Sequence, residues 1–326
     1  MRRLSLTVAA LLLTAAASPW RWTLPAGVQM PVVPADNPMS VAKVELGRRL
    51  FYDADLSADG TMACATCHEQ HRAFADGNAT HAGVHGDPGR RNVPGLANVA
   101  WMRRLTWADP RRISLETQVA IPVTGLTPVE MGMTGKEAEI GRRLAKDSCY
   151  PAMFARAFPD DGAIDFSHVA KALAAFERTL IAFDTPYDAF MLGNRKALSP
   201  DAVAGMALFD RHCRSCHSGA LLSDQKFHQI RTVAITDAGL GEITMREKDA
   251  GKFRTPSLRN VELTSPYLHN GSARTIAEAI RSHPGTGDLR EGQVVAVTAF
   301  LTSLTDRHFA TDARYTIPKT ACGKQL

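Results

Sequence analysis

The chain has 326 residues, of which 45% are hydrophobic, so it is long enough for two domains of ordinary size with packed cores. Its formal net charge of +5 is small and includes Arg2 and Arg3 near the N-terminus. A balance this weakly basic favours no particular partner, and nothing in the sequence indicates nucleic-acid binding.

The first residues have the pattern of a secretory signal peptide, which we assign to residues 1–18. Arg2 and Arg3 precede an apolar run from Leu6 to Ala17, and small residues around Ser18 allow cleavage. The run is too short to cross a bilayer, and no later stretch is long and apolar enough to span one. We therefore expect a periplasmic protein without a membrane span.

Helices and one long loop are predicted for the first half of the chain. Ser40 can cap a helix whose apolar residues recur at helical spacing. Residues 76–90 are rich in Gly and Asp, which predicts a long loop that carries His81 and His85. Residues 134–195 have mostly helical periodicity.

The second half begins with a strong helix start at Ser199-Pro200, a capping residue followed by proline. Short extended pieces and turns are predicted for residues 225–275. A capping box at Thr275 starts a short helix that must end near His283, because a proline follows. A last amphipathic helix covers roughly residues 292–304, and little β-sheet is expected.

Two copies of the pentapeptide Cys-x-x-Cys-His are the most informative feature of the sequence. They consist of Cys64, Cys67 and His68, and of Cys213, Cys216 and His217. The thiols of such a motif form thioether links to a porphyrin, and the adjoining imidazole binds the haem iron. A zinc site would need a second Cys/His pair nearby at ligand spacing, and neither copy has one. The sequence therefore predicts two covalently attached haem c groups.

The predicted fold class is mainly α, with two cytochrome c-like helical domains that each hold one covalently bound c-type haem. After the signal peptide we expect an N-terminal extension over residues 19–36. An N-terminal haem domain then covers residues 37–190, and a C-terminal haem domain covers residues 191–326.

Two cysteines lie outside the haem motifs, Cys149 and Cys322. In an oxidising compartment they can form a disulfide. They can equally be two unrelated buried thiols, because spacing in the sequence does not show whether two residues are close in space.

Several further blocks resemble the di-haem cytochrome c peroxidase and MauG superfamily. These blocks are residues 91–94, 105–109, 115–118, 128–132 and 253–271. Residues 68–77, 97–100 and 303–306 are similar, more narrowly, to the MauG-like branch that includes the methanobactin-associated di-haem enzymes of the MbnH type. The resemblance implies that the N-terminal haem meets hydrogen peroxide and that the C-terminal haem stores or relays electrons.

The resemblance also implies roles for single residues. Glu130 matches the catalytic carboxylate that moves a proton between the two peroxide oxygens. Gln118 matches an amide of the distal pocket, and Trp107 matches a tryptophan that relays electrons between the haems. Without the resemblance these residues would be a solvated glutamate, an ordinary helical glutamine and a core aromatic.

Two features of the first haem and of the space between the haems remain expectations of the same kind. In many cytochrome c peroxidases a histidine of the loop after the first motif caps the iron, and His81 and His85 lie in that loop. MauG-like enzymes lack this cap. Asn92, Thr264 and Pro266 match residues that hold a calcium ion between the haems, which fits the preference of calcium for oxygen ligands.

By the same resemblance, His283 matches the position of the sixth ligand of the second haem. The ordinary peroxidases have Met there and MauG has Tyr. Imidazole lowers the reduction potential relative to a thioether, so His283 argues against a peroxidase fed by cytochrome c. The alternative interpretation is a polar histidine at a helix end.

Three classes of function remain. The first is a MauG-like or MbnH-like enzyme, in which hydrogen peroxide forms a high-valent di-haem state that oxidises a tryptophan of a periplasmic partner protein to kynurenine. The resemblance to the MbnH type implies that this partner binds copper. The alternative is a cytochrome c peroxidase that reduces hydrogen peroxide with electrons from a small cytochrome or cupredoxin. A pure electron carrier is disfavoured by Glu130 and Gln118.

Overall fold

The computed structural model describes residues 18–230 and 236–325. The predicted signal peptide therefore lies outside the described residues except for Ser18. The described chain is mainly helical, as predicted, and none of its helices is long and apolar enough to cross a membrane.

Twelve α-helices are described, and short 3₁₀ turns connect several of them. The helices are α1 Val41–Phe51, α2 Cys64–Cys67, α3 Leu115–Gln118, α4 Ala120–Thr124, α5 Glu137–Leu144, α6 Tyr150–Ala157, α7 Phe166–Glu177, α8 Pro186–Met191, α9 Pro200–His212, α10 Leu240–Thr244, α11 Ile276–Arg281 and α12 Glu291–Thr302. The helical region predicted over residues 134–195 is thus four helices separated by turns.

The described strands are short and form two antiparallel pairs. They are β1 Phe227–Gln229, β2 Lys252–Arg254, β3 Thr320–Ala321 and β4 Lys324–Gln325. In the first pair Phe227 lies opposite Arg254, so β1 and β2 join two loops that border the second haem motif.

The predicted helix starts are confirmed by their capping hydrogen bonds. The side chains of Ser40, Ser199 and Thr275 each accept a hydrogen bond from the backbone N–H three residues further on. Such a cap satisfies one of the N–H groups that a helix leaves unpaired at its start. The helix α11 ends two residues before His283, as the following proline requires.

The first core is built on the crossing of α1 and α7. Leu46, Phe51 and Phe176 are fully buried there, together with Phe74 from the segment after the first motif. The helices approach so closely that a Cβ on Gly47 would lie 1.8 Å from the carbonyl oxygen of Ala172, so only glycine fits. This packing fixes α2 and the first motif beside the core.

The second core repeats this arrangement with α9 and α12. Phe209, Val297 and Phe300 are buried between the two helices. A Cβ on Gly205 would lie 1.8 Å from the carbonyl oxygen of Ala296, so this crossing also depends on a glycine. Because α9 ends at the second motif, the crossing positions that motif.

The C-terminal segment returns to the first core. Phe309 and Tyr315 pack within it, and a disulfide joins Cys149 to Cys322 with their Cα atoms 5.7 Å apart. The structure thereby decides between the two alternatives left open for these cysteines. The domain boundaries proposed from the sequence stay a prediction.

Candidate functional site

The first motif forms one helical turn, α2, with His68 directly after it. The backbone N–H of His68 donates to the carbonyl oxygen of Cys64 at 3.0 Å. Because residues three apart share a helix face, this turn brings Cys64 and Cys67 to the same side. The ring atom Nδ1 of His68 lies 2.6 Å from the carbonyl oxygen of Phe74.

The second motif has the same local construction. It starts at the C-terminal end of α9, and the N–H of His217 donates to the carbonyl oxygen of Cys213 at 2.9 Å. Nδ1 of His217 lies 3.0 Å from the carbonyl oxygen of Leu222. In both motifs a short loop after the histidine therefore supplies the carbonyl that orients the ring.

These hydrogen bonds prepare each imidazole for metal binding. Nδ1 acts as the donor toward a carbonyl, which leaves the other nitrogen, Nε2, as a lone-pair ligand. Burial lowers the pKa of His68, and it lowers that of His217 to about 4, so both rings are neutral. Phe74 and Leu222, which supply the carbonyls, have positive φ angles of 62° and 50°. Such backbone conformations are unfavourable without glycine and are held by their surroundings.

The motif thiols are poor candidates for a zinc-type site. Burial raises the pKa of Cys67 to about 12 and that of Cys213 to about 11, which disfavours the thiolate that zinc requires. Among the described residues, one group of three potential metal ligands has its ligand atoms close together. It consists of Cys216, Asp224 and His228. Its sulfur belongs to the second motif, so thioether formation would remove it as a free ligand.

His283 faces His217 across the second site. Their ring centroids are 6.2 Å apart and the rings are inclined at 60°. Two nitrogens at about 2 Å from one metal, each about 1 Å from its own ring centroid, place the centroids about 6 Å apart. Nδ1 of His283 lies 2.7 Å from the carbonyl oxygen of Ala279, so its Nε2 is also free. The pair fits an iron with an imidazole on each side.

Among the described residues no second imidazole makes a ring contact with His68, although His81 is close enough to lower its pKa. Nδ1 of His81 lies 2.7 Å from a carboxylate oxygen of Asp76, which is fully buried. His85 lies beside Gly132, where an added Cβ would be 3.2 Å from its Nε2. Neither ring stacks near His68 in the way that His283 does near His217.

A carboxylate, that of Glu130, lies near the first motif. Burial raises the pKa of Glu130, while the nearby His81 acts in the opposite direction. The same glutamate is close enough to Cys67 to influence that thiol. The buried Oε1 of Gln118, at the end of α3, has no hydrogen-bond partner within the described chain. An unpaired buried acceptor is costly, and it indicates a ligand that can donate a hydrogen bond.

Trp107 lies in the wall of the cavity at the second site. Its indole Nε1 donates to the carbonyl oxygen of Asn92 at 2.8 Å. The cavity that contains Trp107 also has His217 and His283 in its wall, and it extends to Ala73 beside the first motif. This position between the two motifs suits the relay that the resemblance implies.

The predicted calcium ligands all belong to the wall of the same cavity. Asn92, Thr264 and Pro266 all line it. The side-chain amide nitrogen of Asn92 donates to the carbonyl oxygen of Asn78 at 3.0 Å, and Thr264 Oγ1 donates to the carbonyl oxygen of Val261 at 3.2 Å. Both side chains keep oxygen lone pairs, which are the ligands that calcium takes.

Some polar residues near the motifs were not found from the sequence. Arg254 is buried in the wall of the cavity at the second site. His228 pairs with Asp224 at 2.8 Å beside Cys216. Burial raises the pKa of Glu177, which lies near Cys64, to about 8. No local pattern marks these residues, because their role depends on which charges the fold leaves without partners.

Known proteins are similar to this chain over most of its length. The family described as di-haem cytochrome c peroxidase matches residues 41–196. The methylamine utilization protein MauG of Methylorubrum extorquens is 37% identical over 254 residues, which cover 77% of this chain and 70% of that protein. Cytochrome c551 peroxidase of Pseudomonas aeruginosa is 33% identical over 284 residues, which cover 83% of this chain and 81% of that protein.

Solved structures agree with the sequence relatives. A MauG-like protein associated with microbial copper homeostasis matches with a TM-score of 0.86 and 36% identity, over 92% of this chain and 99% of that one. The diheme peroxidase BthA from Burkholderia thailandensis, at 23% identity and a TM-score of 0.68 over 89% of this chain and 91% of that one, shares the fold. Together these matches define an oxidoreductase of the di-haem peroxidase type, as predicted. The chain belongs to the di-haem cytochrome c peroxidase and MauG family, and its predicted place among the MauG-like members is confirmed.

Proposed function

We propose that this protein is a periplasmic enzyme that uses hydrogen peroxide to oxidise a tryptophan of a partner protein to kynurenine. The observation that carries the proposal is the contrast between the two sites. The rings of His283 and His217 are in contact, with centroids 6.2 Å apart, whereas no described imidazole makes such a ring contact with His68. The likeness to a MauG-like protein associated with microbial copper homeostasis supports a copper-binding partner.

In this proposal the residues of the first site handle the protons of hydrogen peroxide. Two bound haems would supply the iron that reacts with peroxide and the store of oxidising equivalents. The Glu130 carboxylate accepts a proton from one peroxide oxygen and returns it to the other, which leaves as water. Burial raises the pKa of Glu130 toward the working pH, which suits a group that must both accept and release a proton. Gln118 Oε1 accepts a hydrogen bond from the peroxide O–H.

A haem bound at the second site would supply the store for oxidising equivalents. His217 and His283 would hold the iron of the C-terminal haem, and two imidazoles lower the potential relative to an imidazole and a thioether. A low potential makes a poor reservoir of ferrous iron and a better host for an oxidising equivalent. Trp107 would carry the hole between the sites, because an indole is oxidised more readily than aliphatic packing.

The oxidation of the partner balances with two molecules of hydrogen peroxide. Conversion of tryptophan to N-formylkynurenine removes four electrons and adds two oxygen atoms from water. Those four electrons reduce two molecules of hydrogen peroxide to water. Hydrolysis of the formyl group then gives kynurenine and formate. The electrons leave the partner by long-range transfer, so no substrate pocket is required in this chain.

A calcium ion beside Asn92, Thr264 and Pro266 is part of the same proposal. The backbone carbonyl of Asn92 accepts a hydrogen bond from the indole N–H of Trp107. A calcium ion held by the Asn92 side chain would therefore restrict the motion of Trp107. Removal of calcium with a chelator should slow electron transfer between the haems and leave both haems attached. Unchanged transfer rates in calcium-free protein would contradict this role.

The test uses the diferric holoprotein and, as the candidate partner, a periplasmic copper-binding protein of the same organism. Addition of hydrogen peroxide should produce a near-infrared band from the two oxidised haems, and mass spectrometry of the partner should find kynurenine in place of tryptophan. Rapid consumption of peroxide with reduced cytochrome c, without the band and without kynurenine, would overturn the proposal in favour of a cytochrome c peroxidase.

A further inference from the structure

One buried cation in the second site has no acidic partner. Four arginines among the described residues are less than a tenth exposed: Arg49, Arg178, Arg254 and Arg259. Three of them form an ion pair with a carboxylate, from Asp147, Glu116 and Asp188 respectively. Arg254 has no such pair within the described chain. The short segment at 231–235 and the N-terminal residues 1–17 contain no Asp or Glu that could supply one.

Arg254 is held in place by backbone oxygens. Its Nε donates to the carbonyl oxygen of Thr106 at 3.0 Å, and one terminal nitrogen donates to that of Thr255 at 3.3 Å. A guanidinium has five N–H donors, so most of its capacity remains. Arg254 lines the cavity that also contains His217 and His283.

Its surroundings do not neutralise the charge. Arg254 is only 4% exposed, and burial lowers its pKa to about 10, with no charged neighbour raising it again. The guanidinium therefore still carries its proton near neutral pH. A buried charge without a counter-ion is strongly unfavourable, so such charges are found paired. A planar fork of donors suits a carboxylate, which it can bind through two parallel hydrogen bonds.

We propose that Arg254 is the binding site for a haem propionate carboxylate in this cavity, where it also fixes the electrostatic environment of Trp107. This rests on the di-haem function proposed above. The guanidinium carbon of Arg254 lies 5.9 Å from the centre of the Trp107 ring. The backbone N–H of Arg254 donates to the backbone carbonyl oxygen of Trp107 at 2.8 Å. A propionate bound here would place its negative charge beside the indole, which offsets the repulsion between the guanidinium and a hole on that ring.

Either of the two haems could supply the propionate carboxylate that Arg254 binds. The cavity wall includes His217 of the second motif and Ala73, which lies close to the first. The propionate of the C-terminal haem is the expected partner, because β2 places Arg254 opposite Phe227 in the loops that border the second motif. Measuring the two haem potentials separately distinguishes the sources.

The test compares Arg254→Gln and Arg254→Lys in the holoprotein by spectroelectrochemistry, without peroxide or partner protein. Loss of a positive charge stabilises ferric over ferrous iron, so Arg254→Gln should raise the ferric-to-ferrous ratio of one haem at least tenfold at fixed potential. Tenfold corresponds to a fall of about 59 mV for a one-electron couple. Arg254→Lys keeps the charge and should restore most of the potential, while resonance Raman shows altered propionate bending modes.

The matched control removes a buried arginine together with its carboxylate. Arg259 also lines the cavity but pairs with Asp188 at 2.7 Å, so Arg259→Gln combined with Asp188→Asn leaves the net charge unchanged and should leave both potentials unchanged. A fall confined to the C-terminal haem, or to the N-terminal haem, supports the proposal and names the propionate. Unchanged potentials in Arg254→Gln, or unchanged propionate modes in Arg254→Lys, would overturn it. Neither readout depends on tryptophan oxidation, so the proposed function can fail independently.

Discussion

The two haem-motif regions are built alike on one side and differently on the other. In each, a helix crossing at a glycine positions the motif, and a carbonyl from a residue with positive φ orients the histidine. Opposite His217 stands a second imidazole, whereas Glu130 lies near the first motif, where the resemblance also predicts Gln118, whose buried Oε1 has no partner within the described chain. The same attachment unit can therefore serve reaction or storage, depending on the few side chains that face it.

The largest predicted effect is that of removing the Glu130 carboxylate, which should slow the reaction of the first site with peroxide. Glu130→Gln keeps the size of the side chain but cannot accept a proton, so the reaction with peroxide should slow about 10²–10⁴-fold, equivalent to about 3–5 kcal/mol. Stopped-flow absorbance of the diferric protein measures this. Glu45→Gln, at an exposed position of α1, is the matched control and should react at the normal rate. Equal rates in both variants would remove Glu130 from the mechanism.

The same carboxyl should give the reaction a characteristic pH dependence. Burial raises the pKa of Glu130 above its ordinary value of 4.5, and the base is its deprotonated form. The rate of the peroxide reaction should therefore fall as the pH is lowered through that raised pKa, and recover on return. Glu130→Gln should abolish this titration. A rate that stays constant down to pH 4.5 would show that Glu130 is not the base.

Loss of the disulfide should lower the stability of the first region more than that of the second. The bond joins Cys149 in the first core to Cys322 across 173 residues of sequence. Replacing both cysteines by serine should lower the free energy of unfolding by about 2–5 kcal/mol. Thermal unfolding followed at the two haem spectra should show the first site melting earlier, because the disulfide anchors the C-terminal segment to that core. Equal shifts at both haems would show that the regions unfold as one unit.

The sequence predicted the haem motifs, the helix starts at Ser40, Ser199 and Thr275 and the mainly helical fold, because each depends on local chemistry. His283 was found by resemblance, and the structure then brought its ring to His217. The Cys149–Cys322 pairing stayed open, because it depends on distance in space. Arg254 was not found from the sequence for a similar reason. Its missing counter-ion becomes visible only when the other buried arginines of the described chain have been matched with their carboxylates.

The smallest predicted effect is that of His283→Met, which tests the second site through the reduction potential of its haem. A thioether in place of imidazole stabilises ferrous iron, so the potential of the C-terminal haem should rise while that of the N-terminal haem stays the same. Spectroelectrochemistry and the low-spin absorption of the ferric protein measure both. His228→Met is the matched control, because His228 lines the same cavity but pairs with Asp224 at 2.8 Å. If the potential and the low-spin spectrum were unchanged in His283→Met, the ring facing His217 would not be a ligand, and both sites would have to be open to peroxide.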